Sequence, residues 1–462
     1  MSIYHITVTG RDRRHLAALG PKLRIVVNGY REDKNGAVVD AYIRGDKIEW
    51  LKRKGYGVTR LERVDGHART RQKEGRKAVA RRIKEGRYGD VVWSGGYLST
   101  DEVEQAMVLA AERHAGYFER IPLPYLTWEK RRVHAFRIGA GTGKSRPAVC
   151  FLGGVHGREW GSPDILIYFA ARLLRAYRDR NGFKLGRRAV SAAQVRRLVE
   201  SIDIVVLPQV NPDGRKFSME RSAMWRKNRR PAPPGHGTRS MGVDINRNFP
   251  FLWKFDRYFA PGVDTGSKNP GDYECYIGPR EASEPETRNV IWLLDRYPNI
   301  RYLVDLHSYG EAILHSWGTD DNQSHDPKMN FRNRVYDGKR GRLFDAVYRE
   351  YFPPGDKNEA LTIARRMAAA IKLARGRKYQ VKPSVGLYPT AGATDDYSYS
   401  RHFVDPKKGR IIPLTVEWGR SHASTPFHPP YPEMRKVMLE VGAGLLAVCF
   451  GAREAGARRN GR

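Results

Sequence analysis

The chain has 462 residues, of which 83 are Lys or Arg and 50 are Asp or Glu, a net charge of +33. That length points to more than one domain, and 40% apolar residues, with 24 Tyr and 9 Trp, supply a substantial interior. No apolar run approaches the ~18 residues of a membrane helix. The start, MSIYHITVTGRDRRHL, has no apolar stretch leading to a cleavage site, so the expectation is a cytoplasmic protein, or an extracellular one if export is by another route or the start is incomplete.

Residues 1–65 alternate between two periods. IYHITVTG reads as a strand, RDRRHLAALG as a short helix, LRIVVNGY and AVVDAYIRG as strands, DKIEWLKRKG as a helix and YGVTRLERV as a last strand. The order βαββαβ is that of a small ferredoxin-like α+β domain. Residues 66–95 begin with GHARTRQKEGRKAVARRIKEGRYGD, in which nine cations outweigh three acids; this is a basic linker or a polar helix, open to proteolysis.

A larger domain is expected over 96–452, before a basic tail at 453–462. Ser99 and Glu102 form a capping box for a helix reaching about His114. The runs AVCFLGG, DIVVLPQV, RYLVDLHS and IIPLTVEW suit strands buried on both faces, and helical stretches such as DILIYFAARLLRAY and NEALTIARRMAAAIKLARG alternate with them. The expected fold is α/β, a mixed and largely parallel sheet with helices on both faces. Residues 320–357 read as a basic, irregular insertion.

Cys150, Cys275 and Cys449 are far apart, which argues against a disulfide framework and excludes a cysteine zinc site. A metal site must use other donors. His156 and Glu159 stand three apart just past one strand end, and His307 ends another. In open α/β sheets, sites gather at the carboxyl ends of strands. Two imidazoles and a carboxylate suit a catalytic Zn2+, although HxxE alone is a weak signal.

Further motifs follow in order: MWRKNRR with Arg226, GVDINRNFP with Asp244, Asn246 and Arg247, LYPTAGATDDYSY with Tyr388 and Asp395, and LTVEWG with Glu417. Together with HGREW and LHSYG they resemble the zinc carboxypeptidases of the pancreatic A and B type over roughly residues 96–450. The resemblance implies one Zn2+ held by His156, Glu159 and His307, with Asp244 behind the first histidine. It implies that Asn246, Arg247 and Tyr388 hold the substrate's terminal carboxylate, that Arg226 stabilises the oxyanion, and that Glu417 is the general base. Arg158 and Tyr309 match subsite residues. Asp395 matches the pocket floor, where an acid goes with C-terminal Lys or Arg. Family proenzymes also carry an α/β prosegment on a cleavable basic connection, which residues 1–65 with 66–90 resemble; a plain accessory domain is the equal alternative, and an RNA-binding module of the same topology is disfavoured because NGAVVDAYI lacks the aromatic-rich strand.

Tyr397 departs from the family's usual tryptophan, and the 320–357 insertion and RRPAPPGHGTRSM are unmatched. The implied function is removal of C-terminal residues from peptides or proteins, with basic residues favoured. Two other readings stand beside it: a catalytically silent polyanion-binding protein on the same scaffold, and a peptidase of acidic tails or cell-wall peptides. The +33 charge points to polyanions, nucleic acid among them, as partners, or simply to a solvated basic surface.

Overall fold

A computed structural model describes all residues except 1, 2, 13, 14, 17, 18, 20–25, 34, 35, 88–94, 142–145, 344, 421–424, 461 and 462. Strands β1 (Ile3–Gly10), β2 (Val26–Asp33), β3 (Gly36–Arg44) and β4 (Gly57–Arg63) form an antiparallel sheet in the order β2-β3-β1-β4, the ferredoxin-like arrangement. Most of the helix read over 11–20 lies outside the described residues; His15 and Leu16 are helical. Alternation sorts the side chains. Ile6, Val8, Ala37, Val39, Ala41 and Ile43 face one way, onto Ile48 and Leu51 of helix Ile48–Arg53. His5, Thr7, Asp40 and Tyr42 face the other way, where Tyr42 meets the larger unit.

Residues 64–84 resolve the alternative left open above. Val64–Lys84 is a helix, and Val64, Ala68, Ala78 and Arg82 bury one face of it. Arg82 makes a buried pair with Glu102 (Nη2–Oε2 2.7 Å) and donates to the Tyr97 carbonyl at 3.1 Å. Residues 88–94 of the predicted linker are outside the described residues.

The larger unit is built on eight strands: β5 (Phe118–Pro122), β6 (His134–Ile138), β7 (Ala148–Gly153), β10 (Asp203–Leu207), β11 (Ile300–Ser308), β12 (Ala312–His315), β15 (Gln380–Pro383) and β16 (Ile412–Trp418). Their order is β15-β12-β16-β11-β7-β10-β6-β5, with the central run β16-β11-β7-β10 parallel. Two small ribbons stand apart, β8 (Phe183–Leu185) with β9 (Arg188–Val190) and β13 (Asn322–Gln323) with β14 (Glu350–Tyr351).

Both faces are covered. On β16, Thr415 donates to Asp395 of helix Thr394–Val404 (3.3 Å), whereas Trp418 points the other way and donates to Ser162 of helix Gly161–Arg178 (2.9 Å). Ser99 and Glu102 cap helix Thr100–Arg113 reciprocally, as the sequence predicts. The last helix, Tyr431–Asn460, absorbs most of the segment read as a separate tail, and Glu454 pairs there with Arg366 at 2.7 Å. The insertion is irregular but ordered by a buried cation: Arg340 pairs with Asp337 (2.9 Å) and donates to the carbonyls of Asn333 (3.1 Å) and Phe331 (3.3 Å).

Candidate active site

Three parallel strands deliver the site. β7 ends at Gly153, and the turn after it carries His156 and Glu159 into helix Gly161–Arg178. The turn passes so close to its neighbours that a Cβ on Gly157 would lie 2.5 Å from the Gly214 carbonyl oxygen, so only glycine fits beside His156. β11 presents His307 near its carboxyl end. β16 pairs with it in register, so that Glu417 sits directly across from His307.

His156, Glu159 and His307 are buried, and their donor atoms lie within 4.8 Å of one another. His156 Nδ1 is 2.7 Å from Glu159 Oε1, His307 Nδ1 is 3.1 Å from Glu159 Oε2, and the two Nδ1 atoms are 3.0 Å apart. Both imidazoles thus turn the same nitrogen inward. Two nitrogens and a carboxylate converging in a buried spot are the donor set of a catalytic zinc site, so the residues present fit Zn2+. Burial disfavours a charged Glu159, but the two histidines outweigh it and hold the carboxyl well below the usual range.

The outer nitrogens face carboxylates. His156 Nε2 is 3.3 Å from Asp244 Oδ1, and His307 Nε2 is 3.0 Å from Asp305 Oδ2. Asp244 is tied further: its Oδ2 accepts from Arg226 Nε (3.0 Å) and Nη2 (2.9 Å), and its Oδ1 accepts from the Asn246 amide (3.1 Å). Burial opposes ionisation of Asp244, yet Arg226 and His156 keep it strongly acidic. Arg226 Nη1 reaches to 3.3 Å from His156 Nδ1, at the inward side of the site. Burial pushes the Glu417 carboxyl up to about 8 against the attraction of His307.

The carboxylate-holding candidates gather beside it. Arg247 is fixed by the carbonyls of Thr265 (Nε, 2.7 Å) and Asn246 (Nη1, 2.7 Å), and the Tyr388 ring lies 5.8 Å from its guanidinium carbon. Asn246 Oδ1 accepts from the Thr394 amide (2.8 Å) and hydroxyl (2.9 Å). Tyr388 is 38% exposed. Asp395 is buried and takes hydrogen bonds from Ser384 Oγ (2.7 Å), Thr415 Oγ1 (3.3 Å) and the Asp396 amide (2.9 Å). Among the described residues no cation pairs with it.

Arg158 and Tyr309 are differently engaged. Arg158 holds Glu274 through both oxygens (2.9 and 2.8 Å) and lies 4.7 Å above the Phe427 ring. Tyr309 packs edge-on to Phe427 (5.0 Å) and to Tyr42 of the N-terminal sheet (5.7 Å), so these two positions lie beneath that sheet. The sequence reading misses Asp305, Glu274, Phe427 and Tyr42. A signal existed for Asp305, a lone acid inside the apolar run of β11 and two residues from His307. The other three depend on long-range contacts.

The zinc carboxypeptidase family model matches residues 107–441. This chain belongs to the zinc carboxypeptidase family. Among family relatives, mouse carboxypeptidase A4 is 28% identical over 274 residues, 59% of this chain and 52% of that protein. Metallocarboxypeptidase A of Trichophyton tonsurans is 34% identical over 194 residues, 41% of this chain and 40% of that protein. Human carboxypeptidase B is 27% identical over 279 residues, 60% and 53% respectively. The chain therefore spans about half the length of the curated relatives it matches. Two solved structures share the fold over 98% of this chain: carboxypeptidase A from Helicoverpa armigera (TM-score 0.71, 20% identity, 98% of that chain) and thrombin-activatable fibrinolysis inhibitor (TM-score 0.68, 18% identity, 100% of that chain).

Proposed function

We propose that the protein is a zinc-dependent carboxypeptidase that removes one C-terminal residue and favours Lys or Arg. The observation that carries the reading is the in-register pairing of His307 with Glu417 beside the His156–Glu159 turn. Asn246, Arg247 and Tyr388 receive the terminal carboxylate, for which the planar Arg fork is suited. Zinc, when bound, supplies Lewis acidity toward the scissile carbonyl. Arg226, held by Asp244, offers its free edge to the developing oxyanion. Glu417, whose ionised form a cation bound beside it would favour, accepts a proton from the attacking water and returns it to the leaving nitrogen as the C–N bond breaks. Asp395 supports the basic preference: a buried carboxylate met only by hydroxyls and an amide gains most from a cationic substrate side chain.

The same reading makes residues 1–65 an inhibitory cover, supported by the Tyr42 contact with Tyr309 and Phe427. The test is a panel of blocked dipeptides ending in Arg, Phe, Glu and diaminopimelate, run with and without chelator after removal of the N-terminal sheet by limited proteolysis. Arg substrates should be cleaved fastest. Faster cleavage of the Glu or diaminopimelate substrates overturns the basic preference in favour of acidic tails or cell-wall peptides, and activity that survives full chelation overturns the metal.

A second reading, polyanion association, has its own observation. On helix Val64–Lys84, Arg69, Lys73, Arg76, Lys77, Arg81 and Lys84 are exposed opposite the buried face, and none has an ion-pair partner among the described residues. They run over ~22 Å of helix. Duplex DNA is the probe: binding that weakens steeply with salt and is lost on Lys73→Glu with Lys77→Glu supports this reading, and salt-insensitive or absent binding ends it.

A further inference from the structure

We infer that Asp305 is a positioning residue that sets how His307 presents itself to the metal. The inference rests on the reading of His156, Glu159 and His307 as one ligand set.

The strand dictates the encounter. Residues 305 and 307 project from the same face of β11, and the registers with Leu152 on β7 and Thr415 on β16 put Asp305 in the middle of the sheet. It is 0% exposed. Among the described residues, its one ion-pair contact is His307 Nε2 at 3.0 Å, and no amide or hydroxyl donates to either of its oxygens. Burying a carboxylate is costly, and natural cores keep such groups only where a partner compensates. Fold stability gives no reason for an acid here; an apolar side chain that filled the same space would suit the apolar surroundings better.

A reason appears at the imidazole. To bind a cation through Nδ1, His307 must be neutral and carry its proton on Nε2. Asp305 Oδ2 lies 3.0 Å from Nε2 without an aligned hydrogen bond, and a small turn of the ring on binding a cation would bring the two into one, fixing the tautomer, holding the ring plane and raising the basicity of Nδ1. The two histidines are then served unequally. Asp244 divides itself between His156, Arg226 and the Asn246 amide, whereas Asp305 attends to His307 alone. The undivided charge of Asp305 also offsets part of the cation's charge from the side away from substrate.

The test compares the full chain with Asp305→Asn and Asp305→Ala, using zinc alone as the probe. Competition against a chromophoric chelator should show about ten- to a hundred-fold weaker zinc binding for both variants. Histidine-selective nitrogen NMR of the zinc-loaded protein should show a His307 Nε2 proton protected from exchange in the wild type and exchanging faster in Asp305→Ala. Metal-free melting of Asp305→Asn should be no lower than wild type, because a costly buried charge has been removed. Asp305→Asn keeps the side-chain shape and carries the test if Asp305→Ala does not fold. Zinc affinity and Nε2 proton exchange unchanged in Asp305→Asn overturn the positioning role. So does a fall in metal-free stability with unchanged affinity, which would make Asp305 a structural residue. A wild-type chain that binds no zinc fails at the ligand set itself, a result distinct from wild-type binding that Asp305→Asn leaves untouched.

Discussion

The four-stranded sheet of residues 3–63 and the eight-stranded sheet behind it bury different things. The small sheet has one apolar face, spent on its own helices, and turns a mixed face with His5, Thr7, Asp40 and Tyr42 toward the larger unit. The large sheet is apolar on both faces and collects its charges at the carboxyl ends of β7, β11 and β16. A contact of a few aromatic rings can let go, whereas charges embedded at strand ends cannot move without moving the sheet. The difference separates a unit docked through side chains from charges fixed in the sheet itself, and each of the following measurements probes one side of it.

The largest effect belongs to the fixed side. Glu417→Gln should lower turnover by about 10²- to 10⁴-fold while metal analysis still finds zinc; undiminished turnover would remove Glu417 from the chemistry. Arg226→Ala should cost about 10²- to 10³-fold, mainly in kcat, as expected for a group that meets charge only as it develops. On the docked side, Arg82→Ala strands Glu102 in the interior and should cost about 3–5 kcal/mol in denaturant unfolding, with helix Val64–Lys84 losing hydrogen-exchange protection first. Tyr42→Ala removes, among other contacts, the ring contacts with Tyr309 and Phe427, worth about 0.5–1.5 kcal/mol beyond area burial, so peptide turnover by the intact chain should rise some two- to ten-fold; no rise would mean that the sheet does not cover the cleft.

The smallest effect is a pH slope confined to the large unit. Burial, with Glu284 nearby, pushes the Glu286 carboxyl up to about 8. Its folded pKa lies above the unfolded value, so the native state holds the extra proton between the two. Its contribution is full below about pH 4.3 and fades as pH rises through about 8. Glu286→Gln should flatten the decline in melting temperature over that window, and an unchanged slope would assign the decline to other carboxyls.

Much of this was legible because local pattern carried it. AVCFLGG, DIVVLPQV, RYLVDLHS and IIPLTVEW are too apolar to be anything but central strands, and Ser99 with Glu102 announces a helix start. His156 and Glu159 are legible because three residues of turn keep them together. Asp305 was hidden by its surroundings, since an acid in an apolar run reads as an interruption until its partner is seen. The Arg158–Glu274 pair joins residues 116 positions apart, and Tyr42 meets Phe427 across most of the chain; no periodicity encodes either. The helical state of residues 64–84 was ambiguous because a cationic surface masks the small residues, Ala68 and Ala78, that seat it.

His307 and Glu417 are neighbours on one rung of a parallel ladder. Their separation is therefore set by the spacing of two backbones, ~4.8 Å, and not by the reach of any flexible chain. Loops elsewhere, the 320–357 insertion included, can lengthen, shorten or change charge without disturbing that spacing. Such a scaffold leaves its choice of substrate free to drift while the bond-breaking step stays the same. A single residue added within β16 upstream of Glu417 would instead turn that carboxyl to the opposite face and take it out of the site at a stroke.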